Sequence, residues 1–144
     1  MALMADAVRD FSVGFFERYN TIEVTNNVII YGGAAVSEAA DGRAEPLVAA
    51  SPFLGFAEGR IDTTPANIAA GDLEVRLREE GEVALIVAGI TALTDLNSPV
   101  YASDDNTFTL TALGNTQIGA IKRIVDVTSG LCIVAFQSEA LRAA

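Results

Sequence analysis

The stretch Pro99-Val-Tyr-Ala-Ser-Asp-Asp-Asn-Thr-Phe-Thr-Leu-Thr111 predicts two short strands joined by a tight turn. Residues 100–102 form the first predicted strand and residues 107–111 the second, where threonine and phenylalanine suit a half-buried pleated surface. Asp104, Asp105 and Asn106 carry side chains that bond to nearby backbone amides, which is the chemistry of a turn. Clustered carboxylates can also bind calcium, but the stretch lacks the glycine and glutamate of a calcium-binding loop. We therefore interpret it as a hairpin.

Further strands are predicted on both sides of this hairpin. Residues 73–78 alternate between apolar and charged side chains, as a strand with one wet face does. A charged turn is predicted at residues 79–82, followed by a buried strand at residues 83–88. Beyond the hairpin, residues 118–127 are apolar on both faces, and a Thr-Ser-Gly turn leads into a last apolar strand at residues 131–136.

The first half of the chain continues the β pattern. Short strands are predicted at residues 22–24, 28–31 and 54–57, with a turn at Asp41-Gly42 and a long loop over residues 58–70. In all, seven to nine short strands are separated by turns. This pattern predicts an all-β, single-domain fold, either a small barrel or a sandwich.

Residues 1–20 differ from the rest because aromatic side chains cluster there before the first strand. One interpretation makes residues 6–19 a short amphipathic helix that packs on the domain's own core. The other makes residues 1–20 an extended arm whose aromatics bind a neighbouring subunit. Gly14 disfavours the helix, since glycine costs roughly 1 kcal/mol relative to alanine in a helix interior. We favour the arm, which leaves a β domain at 21–136 and a frayed or weakly helical tail at 137–144.

Composition excludes much of catalytic chemistry. The chain has 144 residues, of which 51% are hydrophobic, so it is long enough for one sizeable core. It has no histidine, the commonest general base and metal ligand, and its single cysteine, Cys132, lies within an apolar strand. We predict that Cys132 is a small buried side chain. We also predict that the chain is not an enzyme and has no catalytic residues, no metal site and no cofactor.

The charge balance of the chain indicates which kinds of binding partner to expect. Nineteen acidic and nine basic residues give a formal net charge of −10, which repels phosphate backbones, so we expect no direct contact with nucleic acid. No apolar run approaches the roughly 20 residues that a membrane span needs. Residues 1–6 lack a basic region and a long apolar region, so we expect no signal peptide and synthesis in a cytoplasm.

Three charged residues share one face of the strand at residues 73–78: Glu74, Arg76 and Arg78. They form either a solvated face or a contact between subunits, in which arginine pairs with carboxylates through a two-pronged hydrogen bond. The sequence leaves both interpretations open.

The order of elements over residues 71–136 resembles the C-terminal half of the small capsid decoration (cement) proteins of tailed bacteriophages. The resemblance rests on the hairpin quoted above, on Ile118-Gly-Ala-Ile121 and on the final strand Leu131-Cys-Ile-Val-Ala-Phe136. It implies a compact β domain, barrel-like or of the β-tulip type, with an N-terminal arm. It also implies a place on the outer capsid surface of the virion, reached after synthesis in the bacterial host.

The resemblance further implies two partners. The first is the major capsid protein, whose adjacent subunits such proteins clamp against the pressure of packaged DNA. The second is the chain itself, with a homotrimer favoured and a dimer also open. The residues predicted to bind the capsid through the arm are Phe11, Phe15, Phe16, Arg18 and Tyr19.

Two other functions remain open. A different structural component of a virion, such as a tail, head-completion or fibre-base protein, would share the acidic, β-rich profile. A small carbohydrate-binding β module is the other. Such modules stack sugars on aromatic rings, and this chain has no tryptophan and only three tyrosines.

Overall fold

The structure, a computed structural model, describes residues 2–12 and 18–143. Within these residues it contains twelve β-strands, one 3₁₀ turn at Leu93–Asp95 and one short helix. The strands and the helix are β1 (Phe11–Ser12), β2 (Arg18–Glu23), β3 (Ile29–Ile30), β4 (Ala35–Glu38), β5 (Ala44–Pro46), β6 (Phe53–Ala57), β7 (Ile61–Asp62), β8 (Glu74–Ala88), β9 (Pro99–Asp104), β10 (Thr107–Thr109), β11 (Thr116–Asp126), β12 (Leu131–Gln137) and α1 (Glu139–Ala143).

The all-β prediction is confirmed, but the structure has more strands than the predicted seven to nine. The additional strands β1, β4, β5 and β7 are two to four residues long, which is too short for an alternating pattern to be recognised. The helix α1 confirms the weakly helical alternative for the tail. No helix in the described part of the chain is long and apolar enough to cross a membrane.

Strand β8 runs through the predicted turn at residues 79–82, so that prediction was wrong. Two of the glutamates there do not require a turn, because their side chains reach cations on other strands: Glu80 pairs with Arg18 of β2 and Glu82 with Lys122 of β11. Strand β8 instead contains a bulge. Successive pairs with β2 are Tyr19 with Arg78 and Arg18 with Glu80, which leaves one extra residue on β8.

Five strands close into a barrel. The order β10-β9-β11-β12-β8 is completed by a parallel pairing of β10 with β8, in which Phe108 lies opposite Val87. The hairpin of β9 and β10 is the one predicted from residues 99–111, and it supplies the closing strand. The buried side chains inside this barrel, which we call the first core, include Val83, Leu85, Cys132, Val134 and Phe136.

A second core lies on the other side of β6 and of the first half of β8. Strands β6, β4 and β5 continue the sheet beyond β8, and a single bridge between Val24 and Ala44 joins the end of β2 to β5. Phe56 belongs to the first core, whereas Ala57 and its partner Leu77 belong to the second. Since successive residues of a strand face opposite sides, β6 and β8 form a wall between the two cores.

Residues 2–12, here called the N-terminal segment, lie against this domain. The Ala7 N–H donates to the Gly32 carbonyl at 2.7 Å, and the Ala84 N–H donates to the Asp10 carbonyl at 3.0 Å. The segment is extended, which excludes a helix over its part of residues 6–19. Strand β2 begins at Arg18, so the predicted boundary between arm and domain at residue 20 falls within a strand that pairs with β8.

The cysteine prediction is confirmed. Cys132 is fully buried in the first core, and its Sγ lies 3.7 Å from the Leu85 carbonyl oxygen. Burial raises the pKa of the thiol to about 11. A thiol in this state is a packing group at neutral pH.

Gly119 tests how tightly the barrel is closed. A Cβ at this position would lie 2.0 Å from the Ala135 carbonyl oxygen on β12, so the backbone of one strand would have to move. We expect Gly119→Ala to lower the free energy of unfolding by about 2 kcal/mol or more, measured by urea denaturation. The control is Gly59→Ala, where nothing lies within 4 Å, with an expected change within about 0.5 kcal/mol. Equal effects of the two substitutions would contradict this packing.

Candidate partner-binding face

Pairing of β2 with β8 brings the two predicted sets of binding residues together. Tyr19, predicted as an arm residue, lies opposite Arg78, and Thr21 lies opposite Arg76. Directly opposed residues of an antiparallel pair project from the same face of the sheet. Tyr19, Arg76 and Arg78 therefore occupy one face, although about 55 residues of sequence separate the strands that carry them.

On this face, arginines and aromatic rings alternate in what we call the arginine–aromatic stack. The Arg76 Cζ lies 4.2 Å from the Tyr19 ring centroid, and the Arg78 Cζ lies 5.3 Å from the same centroid. Arg78 also lies 4.4 Å from the Phe11 ring centroid. A guanidinium over an aromatic ring is attracted by the negative face of the ring. The stack thus holds two cations in fixed positions at the surface.

The arginines of β2 and β8 differ in their ion pairs. Arg78 Nε lies 2.8 Å from Glu58 Oε1, and Arg18 Nε lies 3.3 Å from Glu80 Oε2. Arg76 is exposed, and in the described ranges 2–12 and 18–143 no carboxylate oxygen lies within 4.0 Å of its guanidinium nitrogens. Arg76 is therefore the cation of this face whose charge is available to a partner.

The predicted binding residues have different locations. Phe11 is partly buried and packs edge-on against Phe56 and Phe136 with centroid distances of 5.9 Å, so it contacts the chain's own first core. Arg18 is on the surface, with 59% of its side chain exposed. Phe15 and Phe16 lie outside the described residues. Glu74 lies opposite Glu23, and this pair of like charges continues the face beyond Arg76.

A cleft of about 280 Å³ adjoins the end of the stack that is formed by Phe11 and Arg78. It lies between the N-terminal segment and strands β6 and β8, and its lining includes Asp6, Arg9, Phe11, Glu58 and Arg78. Arg9 Nε donates to the Gly33 carbonyl at 2.9 Å, and Arg9 Nη2 donates to Asn106 Oδ1 at 2.7 Å. These bonds fix the wall of the cleft.

Gly32 and Gly33 form a turn after β3, and this turn contacts the N-terminal segment. A Cβ on Gly33 would lie 2.2 Å from the Ala7 carbonyl oxygen, and the φ angle of Gly33 is +82°. Only glycine combines that backbone angle with so close an approach. The glycine pair was the available signal for a bound backbone segment, and nothing in the sequence identified residues 2–12 as that segment.

The turn interpretation of residues 104–106 is confirmed. The Asn106 N–H donates to Asp104 Oδ1 at 2.9 Å, while Asp105 Oδ1 accepts the Leu3 N–H at 2.9 Å. Both side chains thus accept hydrogen bonds from backbone N–H groups. Within the described residues, no group of three or more potential ligands is placed to bind a metal ion. Asp105 is buried, and burial raises the pKa of its carboxyl, aided by Asp104 and opposed by Arg9.

Comparison with known proteins adds no relative. The chain matches no protein-family model, and no curated protein and no solved structure is significantly similar to it. The class of the molecule is therefore defined by its own fold and surface. It is a small all-β protein with a closed five-stranded barrel and an arginine–aromatic face on the adjoining strands.

Asp105 predicts a pH dependence of stability. Because its pKa is raised in the folded chain, the folded state holds the proton more tightly than the unfolded state does. Its contribution to the free energy of unfolding therefore falls as the pH rises above the ordinary value of 3.8. Asp105→Asn retains an oxygen that can accept the Leu3 N–H without the charge. We expect this variant to be more stable than the wild type at pH 7, with the difference vanishing below pH 3.8, in urea denaturation at a series of pH values.

Asp95→Asn is the control of opposite sign. Hydrogen bonds from the Thr91 and Ala92 backbone lower the pKa of the Asp95 carboxyl, so ionised Asp95 stabilises the fold above its ordinary pKa. This variant should be less stable than the wild type at pH 7, and the difference should disappear as the pH falls. If both substitutions change stability in the same direction, the assigned role of Asp105 is wrong.

Substitution of Phe11 tests whether its side chain stabilises the first core or serves as an outward anchor for a partner. Phe11→Ala removes edge contacts with two rings of the first core, so we expect the free energy of unfolding to fall by about 2–3 kcal/mol. Leu113→Ala, at a side chain that is 91% exposed, should change it by less than about 0.5 kcal/mol. Thermal or urea denaturation of both variants measures the difference. Unchanged stability of the Phe11 variant would restore the anchor interpretation.

Proposed function

We propose that this chain is a structural virion protein that binds the outside of a tailed-phage capsid and clamps adjacent major capsid subunits. In this role it stabilises the shell against the pressure of packaged DNA. No catalytic step, metal or cofactor is part of the proposal. Binding is its whole activity, and the arginine–aromatic stack is the surface that performs it.

The resemblance that motivates the proposal falls on a defined part of the fold. Residues 71–136 contain strands β8 to β12 up to its penultimate residue, which are the five strands of the closed barrel. A closed barrel has no free edge strands, so it is a rigid support for a binding surface. The resemblance therefore concerns one complete structural unit and not a scattered set of segments.

The observation that carries the proposal is the exposed charge of Arg76 on the Tyr19 ring, a charge that has no ion-pair partner among residues 2–12 and 18–143. A guanidinium held over a ring loses less side-chain freedom on binding than a free one, and it can hold a carboxylate through two parallel hydrogen bonds. Only nine basic residues are present in this acidic chain. A partner with a surface carboxylate would be attracted to this face and repelled by most others.

Many copies of the chain bound to the repeating subunits of a capsid would make such a contact effective. A protein that contacts two neighbouring capsid subunits gains from the second contact at high effective concentration. Because it binds the assembled shell and not separated subunits, it shifts the equilibrium toward the assembled shell. A modest single contact at Arg76 is then sufficient for a clamp.

The direct test is co-sedimentation of the purified full chain with expanded capsids that lack it, taken from the phage that encodes it. Arg76→Glu should weaken binding about tenfold or more, since hydrogen bonds to charged groups contribute about 1.5–3 kcal/mol. The matched control is Arg60→Glu. Arg60 is also an exposed arginine over a tyrosine ring, 5.3 Å from the Tyr31 centroid, but it lies outside β2 and β8. Its replacement should leave binding unchanged.

The possible results distinguish an error in the proposed function from an error in the assigned binding face. If the wild-type chain does not sediment with capsids, the proposed function is wrong. If it does and the Arg76 and Arg60 variants bind equally well, capsid binding stands and the assigned face is wrong. Deletion of residues 1–20 is not a suitable test, because it also removes Phe11 from the core and the first three residues of β2. Electron microscopy of labelled virions would separate a capsid location from a tail or fibre location.

A further inference from the structure

The cleft beside the arginine–aromatic stack contains two opposite charges that do not pair with each other. Its lining includes the Asp6 carboxylate and the Arg9 guanidinium, which are three residues apart on the N-terminal segment. Among residues 2–12 and 18–143, no cationic nitrogen lies within 4.0 Å of the Asp6 carboxylate. In the same ranges, no carboxylate oxygen lies within 4.0 Å of the Arg9 guanidinium nitrogens. The fold thus holds an anion and a cation apart on the wall of one cleft.

The Gly32-Gly33 turn keeps these two charges apart. Asp6 Oδ1 accepts the Gly32 N–H at 2.8 Å, and Arg9 Nε donates to the Gly33 carbonyl at 2.9 Å. A second bond, from Arg9 Nη2 to Asn106 Oδ1 at 2.7 Å, fixes the plane of the guanidinium. All three of these hydrogen bonds join a charged side chain to a neutral group. They set the positions of the two charges without neutralising either of them.

The half-buried guanidinium of Arg9 favours a bound carboxylate. Burial lowers its pKa, an effect that the charge of Asp105 opposes from beyond ion-pair distance. A cation that is removed from water is costly unless it is both paired and hydrogen-bonded. Within the described part of the chain, Arg9 Nη1 donates no hydrogen bond. A carboxylate bound at Nη1 would supply both the acceptor and the opposite charge.

The other charges of the cleft indicate that the ligand carries a positive group as well. Two carboxylates and two guanidiniums line the cleft, those of Asp6, Glu58, Arg9 and Arg78, so their formal charges cancel. Glu58 and Arg78 already pair with each other at 2.8 Å. A simple anion would be attracted by Arg9 and repelled by Asp6, whereas a molecule with both charges would be attracted by each. Drug-sized ligands occupy pockets of roughly 300–1,000 Å³, so a cleft of about 280 Å³ suits a smaller molecule.

We propose that this cleft binds a small amino-acid zwitterion, with the ligand carboxylate on Arg9 and the ligand ammonium on Asp6. Because hydrogen bonds already fix both side chains, binding costs little of their conformational freedom. The N-terminal segment supplies both charges, so it forms part of a binding site in addition to packing on the two cores. The site does not depend on capsid binding.

Isothermal titration calorimetry of the purified full chain tests the proposal. Glycine, β-alanine and 4-aminobutyrate carry both charges at increasing separation, whereas acetate and ethylammonium carry one charge each. At least one of the three zwitterions should bind one-to-one, with a dissociation constant about tenfold or more below that of either singly charged probe. The reason is that each singly charged probe lacks one of the two charge-assisted hydrogen bonds. Equal binding of all five probes, or binding of no zwitterion, would overturn the proposal.

A pair of matched variants locates the site. Asp6→Asn removes the charge but keeps an oxygen for the Gly32 N–H, so it should weaken binding of the zwitterion about tenfold. The control is Asp72→Asn, since Asp72 is also exposed and its Oδ2 accepts the Ala69 N–H at the same distance of 2.8 Å. The control should bind as the wild type does, and circular dichroism should show both variants folded. The same loss in both variants, or no loss in either, would show that the ligand does not bind at Asp6.

Discussion

The pairing of one long strand with five others is the constraint on which the rest of the structure depends. Strand β8 pairs with β2 and β12 along its length and with β6, β1 and β10 at separate points. The two hydrophobic cores meet at the wall that it forms with β6. A break in this strand would therefore open the barrel and separate the cores at once. Its central glycine, Gly81, adopts a φ angle of +153° and lies opposite Phe136 of β12, at the point where the strand passes from one core to the other.

The surface chemistry follows from the same strand. Because β2 binds the first half of β8, the face that does not serve the second core carries the arginine–aromatic stack. Because β12 binds the second half, the side opposite the first core carries Ile86 beside Leu131. One strand thus presents two chemically different surfaces at its two ends. A charged surface suits a contact chosen by electrostatic complementarity.

Sequence patterns succeeded where a segment is long and alternating. The strand at residues 73–78, the hairpin at 99–111 and the final two strands lie where they were predicted, since period-two burial is strong there. The pattern failed at residues 79–82, where four polar or glycine residues in succession are typical of a turn. Their charges are instead satisfied by Arg18 and Lys122, which are 62 and 40 residues away from Glu80 and Glu82. Such partners cannot be identified from local sequence.

What the sequence alone determined is the chemical character of this protein: an acidic, all-β chain without histidine, whose few arginines and aromatics stand out as contact residues. Those properties depend on composition and on local periodicity, which are read directly from the order of residues. Only the tertiary structure decided where the contact residues lie. It packed Phe11 against the first core, placed Tyr19 beneath Arg76, and left Ile86 and Val125 exposed. The physical reason is that strand pairing joins residues far apart in sequence, and its register sets which side chains share a face.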